Sequence, residues 1–226
     1  MAKRILFQGD SITDCNRLRD VSEGRGPNYV PGLNMMGQGY AGFVRATLNM
    51  DEPGRYEFYN RGISGNRIVD IYARIKRDFI NLKPDFASIY VGANDVWHEI
   101  MNQNGVDTPK FERIYTMLLD EVMAACPGIK LMLVAPFVLE GKCTCATPEM
   151  PDRLEWFQKG VAEKAAVVEK LAAKYCLPLV RLQPAFDEVC KRAPADYWVV
   201  DGVHPTPAGH ELIKRQWLRT FRSVMG

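Results

Sequence analysis

Apolar residues along the chain alternate between short continuous runs and longer stretches with helical spacing. The short runs predict five strands, at residues 3–8, 56–60, 85–91, 130–135 and 179–182. Between them, apolar positions recur on one helix face over residues 40–50, 68–82, 111–125, 152–175 and 207–224. Pro84, Pro127 and Pro178 stand just before strands three, four and five, where each ends the preceding helix. The alternation predicts an α/β fold with a parallel sheet, as one domain over residues 1–226.

Segments rich in glycine, proline and polar residues follow the predicted strands. They cover residues 9–39, 61–67, 92–109 and 136–151, with residues 201–207 before the last helix. Ligands of parallel sheets bind beyond the carboxyl ends of the strands, so we expect the functional site there. The segment after the first strand is unusually long, and we expect it to form one wall of the pocket.

Composition narrows the classes of protein. The 226 residues are 47% apolar and 25% charged, which is typical of a soluble globular domain. The net charge of +2 is too balanced to indicate binding to nucleic acid or to an anionic membrane. The first residues reach Gly9 before an apolar signal-peptide core could form, and no apolar run approaches the ~20 residues of a membrane span. We therefore expect a cytoplasmic protein without a nucleic-acid or membrane partner.

The six cysteines are scattered, and we expect them to be reduced. Cys143 and Cys145 have the one spacing that suggests a metal or redox site. Zinc sites add further cysteine or histidine ligands, and this pair has none nearby in the sequence. We predict a pair of loop thiols and no metal.

Two distant segments carry the residues of nucleophilic catalysis. Ser11 follows an apolar run in Gly9-Asp10-Ser11, and Asp201 stands three residues before His204. A serine is a weak nucleophile until a base lies beside it, and an aspartate can hold a histidine in the tautomer that accepts a proton. The alternative is that Ser11 is a helix cap. His98 and His210 are interpreted as structural or peripheral residues.

Ester hydrolysis also needs donors to the developing oxyanion. The segments after strands two and three, 62–66 and 91–95, each contain a glycine and an asparagine. A glycine allows close approach of a backbone N–H, and the Asn94 side chain donates without adding a charge.

Four ordered blocks resemble those of the SGNH, or GDSL, hydrolases. They are Gly9-Asp10-Ser11, the segment 60–65, Gly92-Ala93-Asn94-Asp95 and Asp201-x-x-His204. The resemblance implies a flavodoxin-like, three-layer α/β/α fold with five parallel strands. It also implies a nucleophilic Ser11, an Asp201–His204 pair, and oxyanion donors from the Ser11 N–H, the Gly65 N–H and the Asn94 side chain. The family needs no metal or organic cofactor.

Longer matches around these blocks are similar to the bacterial carbohydrate acetylesterases of this family, with acetylxylan esterases nearest. Two positions depart from that pattern: Ala93 replaces a frequent glycine, and Trp198 lies three residues before Asp201 rather than immediately before it. Tyr40, Trp97 and Trp198 are candidates for stacking on a sugar, with core packing as the alternative. Asp10 is a further candidate for substrate contact, with turn hydrogen bonds as the alternative.

The sequence thus predicts a serine esterase that hydrolyses short-chain esters and removes acetyl groups from carbohydrates such as acetylated xylan or oligosaccharides. Lysophospholipase, thioesterase or general arylesterase activity of the same family is the alternative. Two other classes of protein are alternatives. One is a metal-dependent phosphoesterase, but the chain has only three histidines and no Asp-x-His at the first strand, so metal ligands are missing. The other is a non-catalytic carbohydrate-binding protein. Relatives often form oligomers, so assembly into a homo-oligomer stays open.

Overall fold

The five predicted strands form one parallel sheet. The computed structural model describes residues 2–19 and 35–225. Its strands are β1 (Lys3–Gly9), β2 (Tyr56–Asn60), β3 (Phe86–Tyr90), β4 (Lys130–Ala135) and β5 (Leu179–Arg181). They lie in the order β2-β1-β3-β4-β5, and every neighbouring pair is parallel. This is the flavodoxin-like order, which puts the end of β1 between the ends of β2 and β3.

The described helices differ in length and lie between the strands along the chain. They are α1 (Ser11–Asp14), α2 (Tyr40–Asp51), α3 (Ile68–Ala73), α4 (Ile75–Asp78), α5 (Ala93–Asn102), α6 (Thr108–Ala125), α7 (Arg153–Lys174), α8 (Gln183–Cys190), α9 (Ala195–Trp198) and α10 (Pro207–Met225), with a 3-10 turn at Ile80–Leu82. Among these described helices, none combines the length and the apolar character that crossing a bilayer requires.

Two apolar layers cover the two faces of the sheet. Successive side chains of a strand point to opposite faces, so Phe7 packs with α2 and α10 while Leu6 packs with α3, α6 and α7. Trp217 of α10 is fully buried and its ring lies 5.1 Å from that of Phe7. The predicted three-layer α/β/α architecture is confirmed.

Two predicted segments differ from the structure. The sequence pattern predicts no helix within residues 92–109, but α5 begins directly after Gly92, whose φ of +138° turns the chain out of β3. The predicted helix 68–82 is divided at Arg74, whose guanidinium donates to Gln8 Oε1 (2.9 Å) and to the Arg61 carbonyl (2.8 Å). The side chain thus ties this break to the end of β1. Residues 20–34 of the long loop predicted to form a wall of the pocket lie outside the described residues.

Candidate active site

Ser11 lies in a tight turn from strand to helix. A Cβ added at Gly9 would lie 2.4 Å from the Tyr90 carbonyl oxygen, so only glycine fits where β1 ends beside β3. Asp10 then caps α1, because its Oδ1 accepts the Ile12 N–H at 3.0 Å. Asp10, rather than Ser11, is the capping residue. The interpretation of Ser11 as a helix cap is therefore wrong, and its hydroxyl is left for other contacts.

The distant segments converge in a chain of hydrogen bonds. Ser11 Oγ lies 2.9 Å from His204 Nε2, and His204 Nδ1 lies 2.8 Å from Asp201 Oδ2. The other carboxylate oxygen, Asp201 Oδ1, accepts the backbone N–H groups of Val203 (3.1 Å) and His204 (2.9 Å). The short spacing from Asp201 to His204 thus builds a local turn that aims the carboxylate at the ring.

The electrostatics of the pair favour an ionised aspartate beside a basic histidine. Partial burial of Asp201 opposes its ionisation, but the hydrogen bonds from the His204 ring and from the two amides outweigh burial and lower its pKa to about 2. The hydrogen bond to Asp201 raises the pKa of His204 above its usual value, and partial burial only partly opposes this. Because Asp201 is ionised, it accepts a hydrogen bond from Nδ1–H and keeps the proton on Nδ1. This leaves Nε2 of the neutral ring as an acceptor for Ser11.

Of the neighbouring titratable groups, Asp10 and His210 are buried and accept backbone N–H groups, whereas His98 is only partly buried. Burial raises the pKa of Asp10 to about 6. Burial lowers the pKa of His210 to about 4, and its Nδ1 accepts the Tyr40 N–H at 3.2 Å. Burial also lowers the pKa of His98. The structural interpretation of His210 fits these contacts.

The two candidate oxyanion segments flank Ser11 at the strand ends. The segment after β2 is fixed to β1 and α1, because Ile63 N–H donates to the Gly9 carbonyl (3.1 Å) and Ser64 N–H donates to Asp14 Oδ2 (3.0 Å). Gly65 follows with φ +82°, a conformation that favours glycine. Among the described residues, no protein acceptor is found for the backbone N–H of Gly65 or of Ser11.

Asn94 links the two segments. It stands in the first turn of α5, and its Nδ2 donates to the Asn66 carbonyl at 3.3 Å. The next residue, Asp95, is buried and accepts the Ile68 N–H at 3.0 and 3.3 Å, which joins α5 to the start of α3. Burial raises the pKa of Asp95 to about 7. Sequence reasoning missed this role of Asp95 in joining α5 to α3.

Three of the four candidate substrate contacts are wrong. Tyr40 is fully buried, and its hydroxyl pairs with Thr13 Oγ1 at 3.0 Å, so its ring offers no face to a sugar. Trp198 is 9% exposed and its indole N–H donates to the Ala193 carbonyl. Asp10 is 1% exposed. Each serves the packing or turn role that was the alternative. Trp97 packs against Phe157, with the ring centroids 5.2 Å apart, but it is partly exposed. It therefore stays a candidate for stacking on a sugar.

The predicted pair of loop thiols lies on the connection between β4 and α7. Cys143 and Cys145 are both free and partly exposed. Within residues 2–19 and 35–225, histidine, cysteine and acidic side chains nowhere form a group of three that could hold a metal ion.

The class of protein follows from the fold, the site and a family comparison. The GDSL-like lipase/acylhydrolase family matches residues 7–212. The chain therefore belongs to this family, and it is a carboxylic ester hydrolase.

Individual relatives make the comparison more specific. The chain is 35% identical to an acetylxylan esterase of Geobacillus stearothermophilus over 222 residues, which cover 96% of this chain and 93% of the relative. A crystal structure of Axe2, an acetylxylan esterase of the same organism, superposes with a TM-score of 0.81 at 31% identity, covering 97% of this chain and 95% of that chain. A structure from Parabacteroides merdae, described as that of a GDSL-like lipase, superposes with a TM-score of 0.85 at 31% identity, covering 97% and 96%.

Proposed function

We propose that this protein removes acetyl groups from acetylated carbohydrates, such as xylan or its oligosaccharides, through an acyl-enzyme on Ser11. The observation that carries the proposal is the unbroken series of hydrogen bonds from Ser11 through His204 to Asp201, at 2.9 and 2.8 Å. The substrate class is supported by the similarity to the acetylxylan esterase along almost the whole chain.

The proposed roles are also supported by variants of the related Axe2. Three of its structures are described as catalytic mutants, in which one serine, one aspartate or one histidine is replaced by alanine. In that protein the aspartate and histidine stand three residues apart, as Asp201 and His204 do here. We carry the serine role to Ser11 because it is the serine within hydrogen-bonding distance of His204.

In the first step, Ser11 Oγ attacks the acetyl carbonyl carbon while its proton passes to His204 Nε2. The carbonyl oxygen becomes an oxyanion, for which the Ser11 N–H, the Gly65 N–H and the Asn94 side chain are the proposed donors. Asp201 stabilises the imidazolium that forms. The bond from carbon to the sugar oxygen then breaks, and His204 returns its proton to that oxygen.

In the second step, water attacks the acetyl–serine ester and gives a proton to His204 Nε2. The bond from carbon to Ser11 Oγ breaks, the proton returns to Oγ, and acetate leaves. No step requires a metal or an organic cofactor. The absence of nucleic-acid and membrane partners and a cytoplasmic location stay predictions, and assembly into a homo-oligomer stays open.

The substrate class is tested by measuring acid released from acetylated xylo-oligosaccharides and from p-nitrophenyl esters of two to eight acyl carbons. We expect the acetylated sugars to be deacetylated, and we expect kcat/KM for the aryl esters to be highest for acetate and to fall as the acyl chain lengthens. Rates that rise with chain length would favour the lipid or thioester alternative. Turnover of aryl acetate without any release from acetylated sugars would favour a general arylesterase.

The pH profile follows from the raised pKa of His204. Only the neutral ring accepts the Ser11 proton, so kcat/KM should fall as the pH drops through the pKa of His204. Because Asp201 raises that pKa, the midpoint should lie above the usual histidine value of about 6.5. Asp201, with a pKa of about 2, stays ionised across the profile. Initial rates with p-nitrophenyl acetate between pH 5 and 9 measure the midpoint, and a value well below about 6.5 would contradict the assignment.

A further inference from the structure

The segment that follows β4 contacts the backbone of Asp201 and Gly202 directly. Cys143 N–H donates to the Asp201 carbonyl at 3.0 Å, and Leu139 N–H donates to the Gly202 carbonyl at 2.9 Å. Two successive carbonyls of the turn that carries Asp201 are therefore bound by a segment some sixty residues earlier in the chain. We call residues 139–145 the support loop.

The support loop and this turn approach each other too closely for a side chain at Gly141 or at Gly202. A Cβ added at Gly141 would lie 2.2 Å from the Gly202 nitrogen and 2.4 Å from the Asp201 carbonyl carbon. A Cβ added at Gly202, whose φ is +107°, would lie 2.2 Å from Thr144 Oγ1. The contact is thus formed by the backbone of Gly141 against that of Asp201 and Gly202, and by the Thr144 side chain against Gly202.

Thr144 closes the support loop on itself. Its side chain is fully buried, and its hydroxyl donates to the Leu139 carbonyl at 2.7 Å. Its own N–H donates to the Gly141 carbonyl at 2.9 Å. The first and last parts of the support loop are therefore held together at Leu139, the residue that binds Gly202. Without the hydroxyl, a buried carbonyl would lose its partner.

We propose that the support loop positions Asp201 for its hydrogen bond to His204, and that Thr144 is the positioning residue that keeps the support loop in shape. This inference rests on the proposed function. Thr144 touches neither the reacting atoms nor the carboxylate, so it acts through Asp201.

The need for such a residue follows from how the site is assembled. The two amides that bind Asp201 Oδ1 come from Val203 and His204, so they orient the carboxylate only within its own turn. Ser11, in contrast, is held by the end of β1. The distance from Ser11 to His204 therefore depends on how the whole turn is fixed to the sheet. The support loop supplies this link because it continues from β4, a strand of the same sheet.

The same contacts show what Cys143 and Cys145 contribute to the support loop. Cys143 and Cys145 contribute their backbone N–H groups, to the Asp201 and Gly141 carbonyls respectively, at 3.0 and 2.8 Å. Their backbone N–H groups thus help to form the support loop and its contact with Asp201.

The test replaces Thr144 with valine, which keeps the shape and removes the hydroxyl. We expect kcat for p-nitrophenyl acetate to fall about 10- to 100-fold with KM nearly unchanged, because displacing a supporting contact weakens catalysis more than binding. Thr144→Ser, which restores the hydroxyl, should recover most of the activity. Thr147→Val is the matched control, since Thr147 lies on the same connection between β4 and α7 and its hydroxyl bonds only Met150 N–H in the described structure.

The pH profile gives a readout that a loss of folded protein would not change. His204 faces Asp201, the buried Asp10 and the buried His210, and of these Asp201 has the largest influence on it. A displaced Asp201 raises the pKa of His204 less, so the acid limb of kcat/KM should move to lower pH in Thr144→Val and stay in place in Thr147→Val. Asp10 and His210 are unchanged in both variants, so the comparison isolates Asp201.

A double-mutant cycle completes the test. In an Asp201→Asn background, adding Thr144→Val should change the residual rate by less than about twofold, since the positioned carboxylate is already absent. Full additivity, or an unshifted acid limb in folded Thr144→Val, would overturn the inference. If Thr144→Val does not fold, the acid limb of kcat/KM is compared between Thr144→Ser, which keeps the hydroxyl, and Thr144→Ala, which removes it. The limb should move to lower pH only in Thr144→Ala, and an unshifted limb there would overturn the inference. Failure of the proposed function itself would instead be seen as an active Ser11→Ala variant.

Discussion

Replacing Ser11 with alanine should lower turnover of p-nitrophenyl acetate by about 10⁴-fold or more. The variant loses the atom that forms the acyl-enzyme, and no other described serine lies within hydrogen-bonding distance of His204. Only the slow attack of water, assisted by the oxyanion donors, would remain. The measurement is kcat at saturating substrate, with the circular dichroism spectrum showing that the variant is folded.

The matched control for this variant is Ser223→Ala. Ser223 is an exposed serine near the end of α10, and its hydroxyl donates to the Thr220 carbonyl. We expect wild-type turnover in the control. Retention of most activity by Ser11→Ala would mean that another nucleophile operates.

Replacing Asp201 with asparagine should lower turnover by up to about 10⁴-fold. An asparagine can turn its NH₂ toward Nδ1, which stabilises the tautomer that carries the proton on Nε2 and cannot accept the Ser11 proton. The variant also removes the charge that raises the pKa of His204, so the remaining activity should have its acid limb at lower pH. Both effects are measured in one series of initial rates against pH.

Asp196→Asn is the corresponding control, because Asp196 is an exposed acid on α9, five residues before Asp201. It should leave the rate and the profile unchanged. An Asp201→Asn variant with near wild-type turnover would show that His204 is oriented by another group.

The inner strands β1, β3 and β4 could be predicted because they are buried on both faces. In β4, for example, the exposed Lys130 is followed by the continuous apolar run 131–135, which does not fit an amphipathic surface element, and the strand has the predicted bounds. The convergence of Ser11 with the segments after β2 and β3 also follows from sequence, since parallel strands bring their carboxyl ends to one edge. The matching family blocks completed that prediction.

The remaining features depend on contacts between segments that no local pattern joins. Tyr40 fits both a core position and a sugar platform, and only the packing of α2 against Phe7 and Tyr90 buries it. The support loop is a second case, because nothing in Gly141 or Thr144 indicates that they meet Gly202. That residues 1–226 form a single domain stays a prediction.

The most direct measurement is the site of covalent labelling by a serine-directed phosphonate. After reaction, the intact mass should rise by one phosphonyl group, and peptide sequencing by mass spectrometry should locate that group on Ser11. Ser11→Ala should not be labelled, and Ser223→Ala should be labelled like the wild type. Labelling at another residue, or full esterase activity in protein whose Ser11 is completely modified, would contradict the central claim that Ser11 carries the acyl group.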